Sequence, residues 1–133
     1  MDPVYGFTAR LPGATLADAR ARITDALKEQ GFGVLTEIDV RATFKKKLDV
    51  DFRPYVILGA CNPQLAKRAL EADPGVGLLL PCNVVVAEED GAAVVSIADP
   101  RAMFAIVRND KLQPIVDEAE RRLRAAFDAF KAH

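Results

Sequence analysis

The sequence predicts an α+β domain, a two-layer sandwich in which helices pack on a mixed, mainly antiparallel sheet. Three observations predict it. Apolar residues alternate along the chain between period two and helical spacing. Glu89-Asp90-Gly91 is a tight-turn signal between two strongly apolar runs, so a hairpin is expected there and a purely parallel sheet is not. The C-terminal stretch places Leu112, Ile115, Val116, Ala119, Leu123, Ala126, Phe127 and Phe130 on one long helical stripe. The element order reads β-α-β-α-β-α-β-β-α.

Residues 4–11 read as a first strand, stopped by Pro12-Gly13. Thr15-Leu16-Ala17-Asp18 then has capping-box spacing before the stripe Leu16, Ala19, Ile23, Ala26 and Leu27, and Gly31 supplies the stop. Phe32, Val34, Thr36, Ile38 and Val40 recur with period two, a strand with one buried face. A short helix is expected over 41–48, with Phe44 and Leu48 on one side. The unbroken apolar run from Pro54 to Ala60 suits a strand buried on both faces.

Asn62-Pro63 fits an N-cap followed by proline at the first helical position, with Leu65, Ala66, Ala69 and Leu70 packing inward. Residues 77–80 read as strand, interrupted at Pro81 and resumed at Val84-Val85-Val86, which pairs with Ala93 to Ile97 across the turn. Met103 to Val107 suggests one or two helical turns. In the last helix, Glu118 with Arg122 and Glu120 with Arg124 are i,i+4 pairs in the favourable acid-first order.

At 133 residues, 1–133 reads as a single domain that buries roughly two thirds of its unfolded surface. Half the residues are hydrophobic and 28% charged, an ordinary globular balance, and the net charge of −1 provides no field to draw the chain onto nucleic acid or an anionic membrane. The N-terminus has no secretory pattern and no apolar run approaches bilayer length, so the cytoplasm is the expected location. Two cysteines in a chain of this size are expected as thiols rather than a disulfide.

The strings from Lys47-Leu48-Asp49-Val50-Asp51-Phe52-Arg53-Pro54-Tyr55 through Val56-Ile57-Leu58-Gly59-Ala60-Cys61-Asn62-Pro63, and then Gly77-Leu78-Leu79-Leu80-Pro81-Cys82-Asn83-Val84-Val85-Val86, closely resemble the family called domain of unknown function 302. Flanking elements extend the likeness over essentially the whole chain. The resemblance implies a compact, self-associating α+β domain of small bacterial or archaeal proteins, and it assigns no activity.

The two Cys-Asn pairs, Cys61-Asn62 and Cys82-Asn83, with Pro81 between them, are the candidate binding site. A helix from Pro63 to Asp73 carries the chain back about 15 Å, and an extended segment from Gly77 to Cys82 recovers about 17 Å. In a right-handed β-α-β unit both cysteines then reach the carboxyl ends of neighbouring strands, with the sulfurs in one region and Cys61 before a helix N-terminus that favours a thiolate. The plainest alternative is that both thiols fill small apolar spaces, with Asn62 a cap and Asn83 a strand-end hydrogen-bonder. A metal shared across a dimer is a third reading, weakened because two cysteines per chain are not a C-x-x-C pair.

Other chemistry is sparse. His133 is the only histidine and the last residue, which excludes histidine-based triads. Asp39, Asp49, Asp51 and Asp99 sit at element ends, where turn and cap roles predominate. No phosphate-binding glycine loop is present. Lys45-Lys46-Lys47 with Arg41 and Arg53 read as a solvated helix face, and no stacking platform accompanies them, so no nucleic-acid partner is expected.

The apolar hairpin strands must be paired or covered, either within the chain or by a homodimer. The expectation is therefore a non-catalytic ligand-binding or sensory module, dimeric, with a pocket near the two Cys-Asn pairs and no metal or cofactor. The alternative is a thiol-dependent redox or sulfur-handling protein in which Cys61 attacks and Cys82 resolves.

Overall fold

The computed structural model describes residues 2–132, so His133 lies outside the described residues. Its strands are β1 (Gly6–Pro12), β2 (Gly33–Asp39), β3 (Tyr55–Cys61), β4 (Cys82–Glu89) and β5 (Ala92–Ala98). Its helices are α1 (Leu16–Glu29), α2 (Val40–Leu48), α3 (Pro63–Ala72), α4 (Pro100–Phe104) and α5 (Gln113–Lys131), with short 3-10 segments at Pro74–Leu79 and Asp110–Leu112. The chain forms one five-stranded sheet in the order β1-β5-β4-β3-β2.

Every neighbouring pair in that sheet is antiparallel, which corrects the expected mixed sheet. The parallel β-α-β unit fails because residues 74–79 coil into 3-10 turns instead of extending. Strand β4 begins only at Cys82, level with Ala60, so the chain re-enters the sheet at the end where β3 left it. Strand β4 then runs back along β3 with Ala60 opposite Cys82 and Val56 opposite Val86.

Local signals act where they were read. Thr15 Oγ1 accepts from the Asp18 amide at 3.1 Å, and Asn62 Oδ1 accepts from the Leu65 amide at 3.2 Å. The β4–β5 turn places both Asp90 and Gly91 at positive φ, 53° and 78°, as two-residue hairpins require. Helices α1 and α5 cover one face of the sheet. There Ile23, Leu27, Leu123, Ala126 and Phe130 meet Leu58, Val84, Val86, Val95 and Ile97 in the main core. The Glu88 carboxylate accepts from the Leu16 amide at 2.9 Å, placing a negative charge at the positive end of α1.

A second cluster, including Leu65, Ala69, Val76, Ile115 and Val116, joins α3 and the first 3-10 segment to the start of α5. The apolar hairpin needs no partner at its edges, because β4 lies between β3 and β5 and β1 covers the far side of β5.

Strand β2 departs most from expectation. Its register slips between Val34 and Thr36, so Leu35 is an extra residue, 67% exposed, and Ile38 falls on the face away from α1 and α5, opposite Ile57. The expected buried face is therefore absent beyond Val34. Helix α2, capped by Asp39 on the Ala42 amide at 2.9 Å, buries none of its residues.

Candidate functional site

The sheet face turned away from α1 and α5 carries Thr8, Ile57, Val85 and Ser96, since the residues opposite one another in each register share a face. Strands β4 and β5 form the floor of a groove of about 300 Å³ on this face. Tyr5, Tyr55, Leu79 and Pro81 also line it, together with Met103 and Phe104 of α4. Ser96, buried on the floor, shares a 2.6 Å hydroxyl contact with Thr8. A second cavity of about 40 Å³ lies between the sheet end, α3 and α5, lined mainly by apolar side chains such as Phe32, Leu65 and Val116. It has room for a few water molecules and is too small for a drug-sized ligand.

The two Cys-Asn pairs are divided between these spaces. Cys61 and Asn62 line the small cavity, Pro81 and Asn83 line the groove, and Cys82 touches both. The cysteines do not form a pair. Cys82 stands opposite Ala60, and successive strand residues point to opposite faces, so the register itself directs the Cys61 side chain away from Cys82. Both are free thiols.

Burial pushes the Cys61 thiol up from its ordinary range. The Cys82 thiol is pushed up to about 11, first by burial and then by the neighbouring Cys61. The helix that follows Cys61 does not reverse this, and neither thiol is poised to ionise at neutral pH.

Asn62 is a structural residue. It is 7% exposed, caps α3, and its Nδ2 lies 3.5 Å from the Gln30 carbonyl beyond the end of α1. Asn83 is exposed on the groove side, opposite Gly59. Gly59 is constrained by that wall, since a methyl group there would meet the Thr36 hydroxyl and lie 2.7 Å from Pro81 Cγ.

Tyr5, Tyr55, Ser96, Met103 and Phe104 are groove residues that sequence patterning did not single out. Ser96 had a legible signal, being the lone polar residue in an apolar strand. The others are brought in by the chain path.

Among the described residues, no group of three or more His, Cys, Asp or Glu side chains is placed to hold a metal, and no helix is long and apolar enough to cross a membrane. Lys45, Lys46 and Lys47 are exposed on α2, and Lys45 pairs with Asp49 at 3.0 Å.

These features define a small antiparallel α+β sandwich with a groove on the uncovered face of its sheet. The chain belongs to the DUF302 family: the model described as Domain of unknown function DUF302 matches residues 7–130. It is also similar to the crystal structure of an uncharacterized conserved DUF302 protein from Bacillus stearothermophilus. That likeness has a TM-score of 0.86 and 32% identity, covering 96% of this chain and 98% of the other. No curated protein matches this sequence.

Proposed function

We propose that the chain is a non-catalytic binding module, dimeric, whose groove beside Pro81, Cys82 and Asn83 takes a small, uncharged and largely apolar ligand. One observation carries this reading: the groove lining contains no carboxylate, lysine, arginine or histidine, and its titratable members are Tyr5, Tyr55 and Cys82. Its volume of about 300 Å³ lies at the lower end of small-molecule sites. An apolar floor with a few hydroxyl and amide groups at its margins favours an apolar body with one or two hydrogen-bonding substituents.

General acid–base catalysis near neutral pH calls for a group that titrates there, and Cys82, pushed up to about 11, is poorly matched to it. The same upward direction at Cys61 weighs against the thiol-dependent alternative, which needs a thiolate. Two free thiols suit a reducing, cytoplasmic setting.

Nile red, an uncharged apolar dye, tests the reading. Saturable fluorescence enhancement with one dye per chain is expected, and Val85→Trp, which fills the groove floor, should weaken it at least about tenfold, the effect of losing one well-packed apolar contact set. Non-saturable binding, or equal binding by the Val85→Trp variant, would remove the groove as a ligand site.

A further inference from the structure

We propose that the groove and the small cavity are two lengths of one binding channel, gated by Phe104, and that its ligand is an unbranched, uncharged alkyl chain with one polar end. This names the ligand class of the binding-module reading and rests on that reading. The first support is the wall between the two spaces. Cys82, Pro100 and Phe104 line both the groove of about 300 Å³ and the cavity of about 40 Å³, so a single layer of side chains divides them.

Of those three, Phe104 is the one that can clear the way. Cys82 is fixed in β4 opposite Ala60, and Pro100 is a buried ring at the start of α4. Phe104 ends α4, is half-buried, and turns about two side-chain bonds. It also borders a third hollow of about 270 Å³, shared with Arg101, Val107, Asn109 and Gln113. The ring therefore has a space to enter when it leaves the wall.

The second support is polarity, which runs one way along the channel. The groove carries the hydroxyls of Tyr5, Tyr55 and Ser96 and the amide of Asn83. Beyond Phe104 the lining is mainly apolar, with Leu65, Ala69, Ile115 and Ala119 among its residues. Its one side-chain amide, Asn62, is already engaged by the Leu65 amide and the Gln30 carbonyl. Neither space is lined by Asp, Glu, Lys, Arg or His. A polar group thus finds partners at the groove end, and burying it unpaired in the cavity would be costly.

The third support is size. A cavity of about 40 Å³ holds roughly three water-sized spheres at about 10–15 Å³ each. That suits the last few carbons of a straight chain rather than a ring system. The polar end is accordingly held in the groove and the methyl end in the cavity.

Displacement of Nile red by straight-chain primary alcohols, hexanol to dodecanol, each below its solubility limit, tests the proposal. Affinity should rise about fourfold per added methylene, up to the longest chain that the channel holds. Ala119→Leu adds an isopropyl group to the cavity from a half-buried position of α5. It should bring that limit forward by about three carbons and weaken dodecanol at least about tenfold, with hexanol and Nile red unchanged. Phe104→Ala removes the gate and should speed dodecanol association at least about tenfold, since binding no longer waits for a side chain to move.

An equal chain-length limit in the parent and Ala119→Leu proteins would discard the channel and keep the groove. Alcohols that displace the dye with no gain per carbon, or that fail to displace it at any length, would also overturn the proposal. A Phe104→Ala protein that binds dodecanol no faster than the parent would remove the gate. Failure of the groove reading itself shows differently, as Nile red bound equally well by Val85→Trp.

Discussion

Gly59→Ala is the sharpest test of how the groove wall is built. Gly59 lies in the middle of β3, and its Cα faces the space closed by Thr36 from β2 and Pro81 from the segment before β4. An alanine methyl would overlap the Thr36 hydroxyl and sit 2.7 Å from Pro81 Cγ, about 1 Å inside normal carbon–carbon contact. Thr36 is exposed and can rotate its hydroxyl away, but the Pro81 ring is held by the backbone on both sides. One collision is therefore relieved cheaply and the other is not.

Overpacking of this kind costs about 1–3 kcal/mol, and a value near 2 lowers the melting temperature of a chain this size by about 6–10 °C. Urea unfolding should show a reduced midpoint at unchanged slope. Adding Thr36→Ala should recover part of the loss, with a coupling energy of about 1 kcal/mol. A Gly59→Ala protein within about 0.5 kcal/mol of the parent, or one that Thr36→Ala does not rescue at all, would refute the close stacking around Gly59.

Other expectations follow from the same geometry. Asn62→Ala removes the α3 cap and should cost about 1–2 kcal/mol in chemical denaturation; a loss below about 0.5 would return Asn62 to the list of candidate ligand-binding residues. Alkylation of the folded protein should accelerate with pH up to the alkaline range without a plateau near neutrality, because burial raises both thiols; a Cys61 rate that saturates below pH ~7 would revive the redox reading. For stability the sign is fixed by Cys82. Its folded thiol keeps its proton above the ordinary value of 9.0 while the unfolded one loses it, so this contribution is intact below pH 9.0 and lost as pH rises towards about 11. Cys82→Ala should flatten that alkaline decline, and an unchanged decline would assign it to other groups.

Much of the fold is written locally. The capping signals at Thr15, Asn62 and Asp99, the Asp90-Gly91 turn and the stripe of α5 each depend on a few adjacent residues, and each forms where its pattern stands. Strand direction is different, because it turned on six residues, Pro74 to Leu79, whose apolar composition suits an extended segment as well as a 3-10 one. Packing of Val76 against α3 and α5 decides between them, and that contact is not local.

The same reason hid the site. Cys61 and Cys82 attract attention as residues, but the groove is made by the face that α1 and α5 leave uncovered, and its walls at Tyr5, Tyr55 and Met103 come from parts of the chain far apart in sequence. Strand β2 shows the limit of periodicity: Val34, Thr36, Ile38 alternate cleanly, yet one extra residue at Leu35 moves the later ones to the other face.

That extra residue also restricts how copies of the chain add to one another. A regular outer strand offers a template on which identical chains extend without end, and β2 is interrupted there, while β1 presents Arg10 and finishes at Pro12. Growth along the hydrogen-bonding direction is thus obstructed at both borders of the sheet.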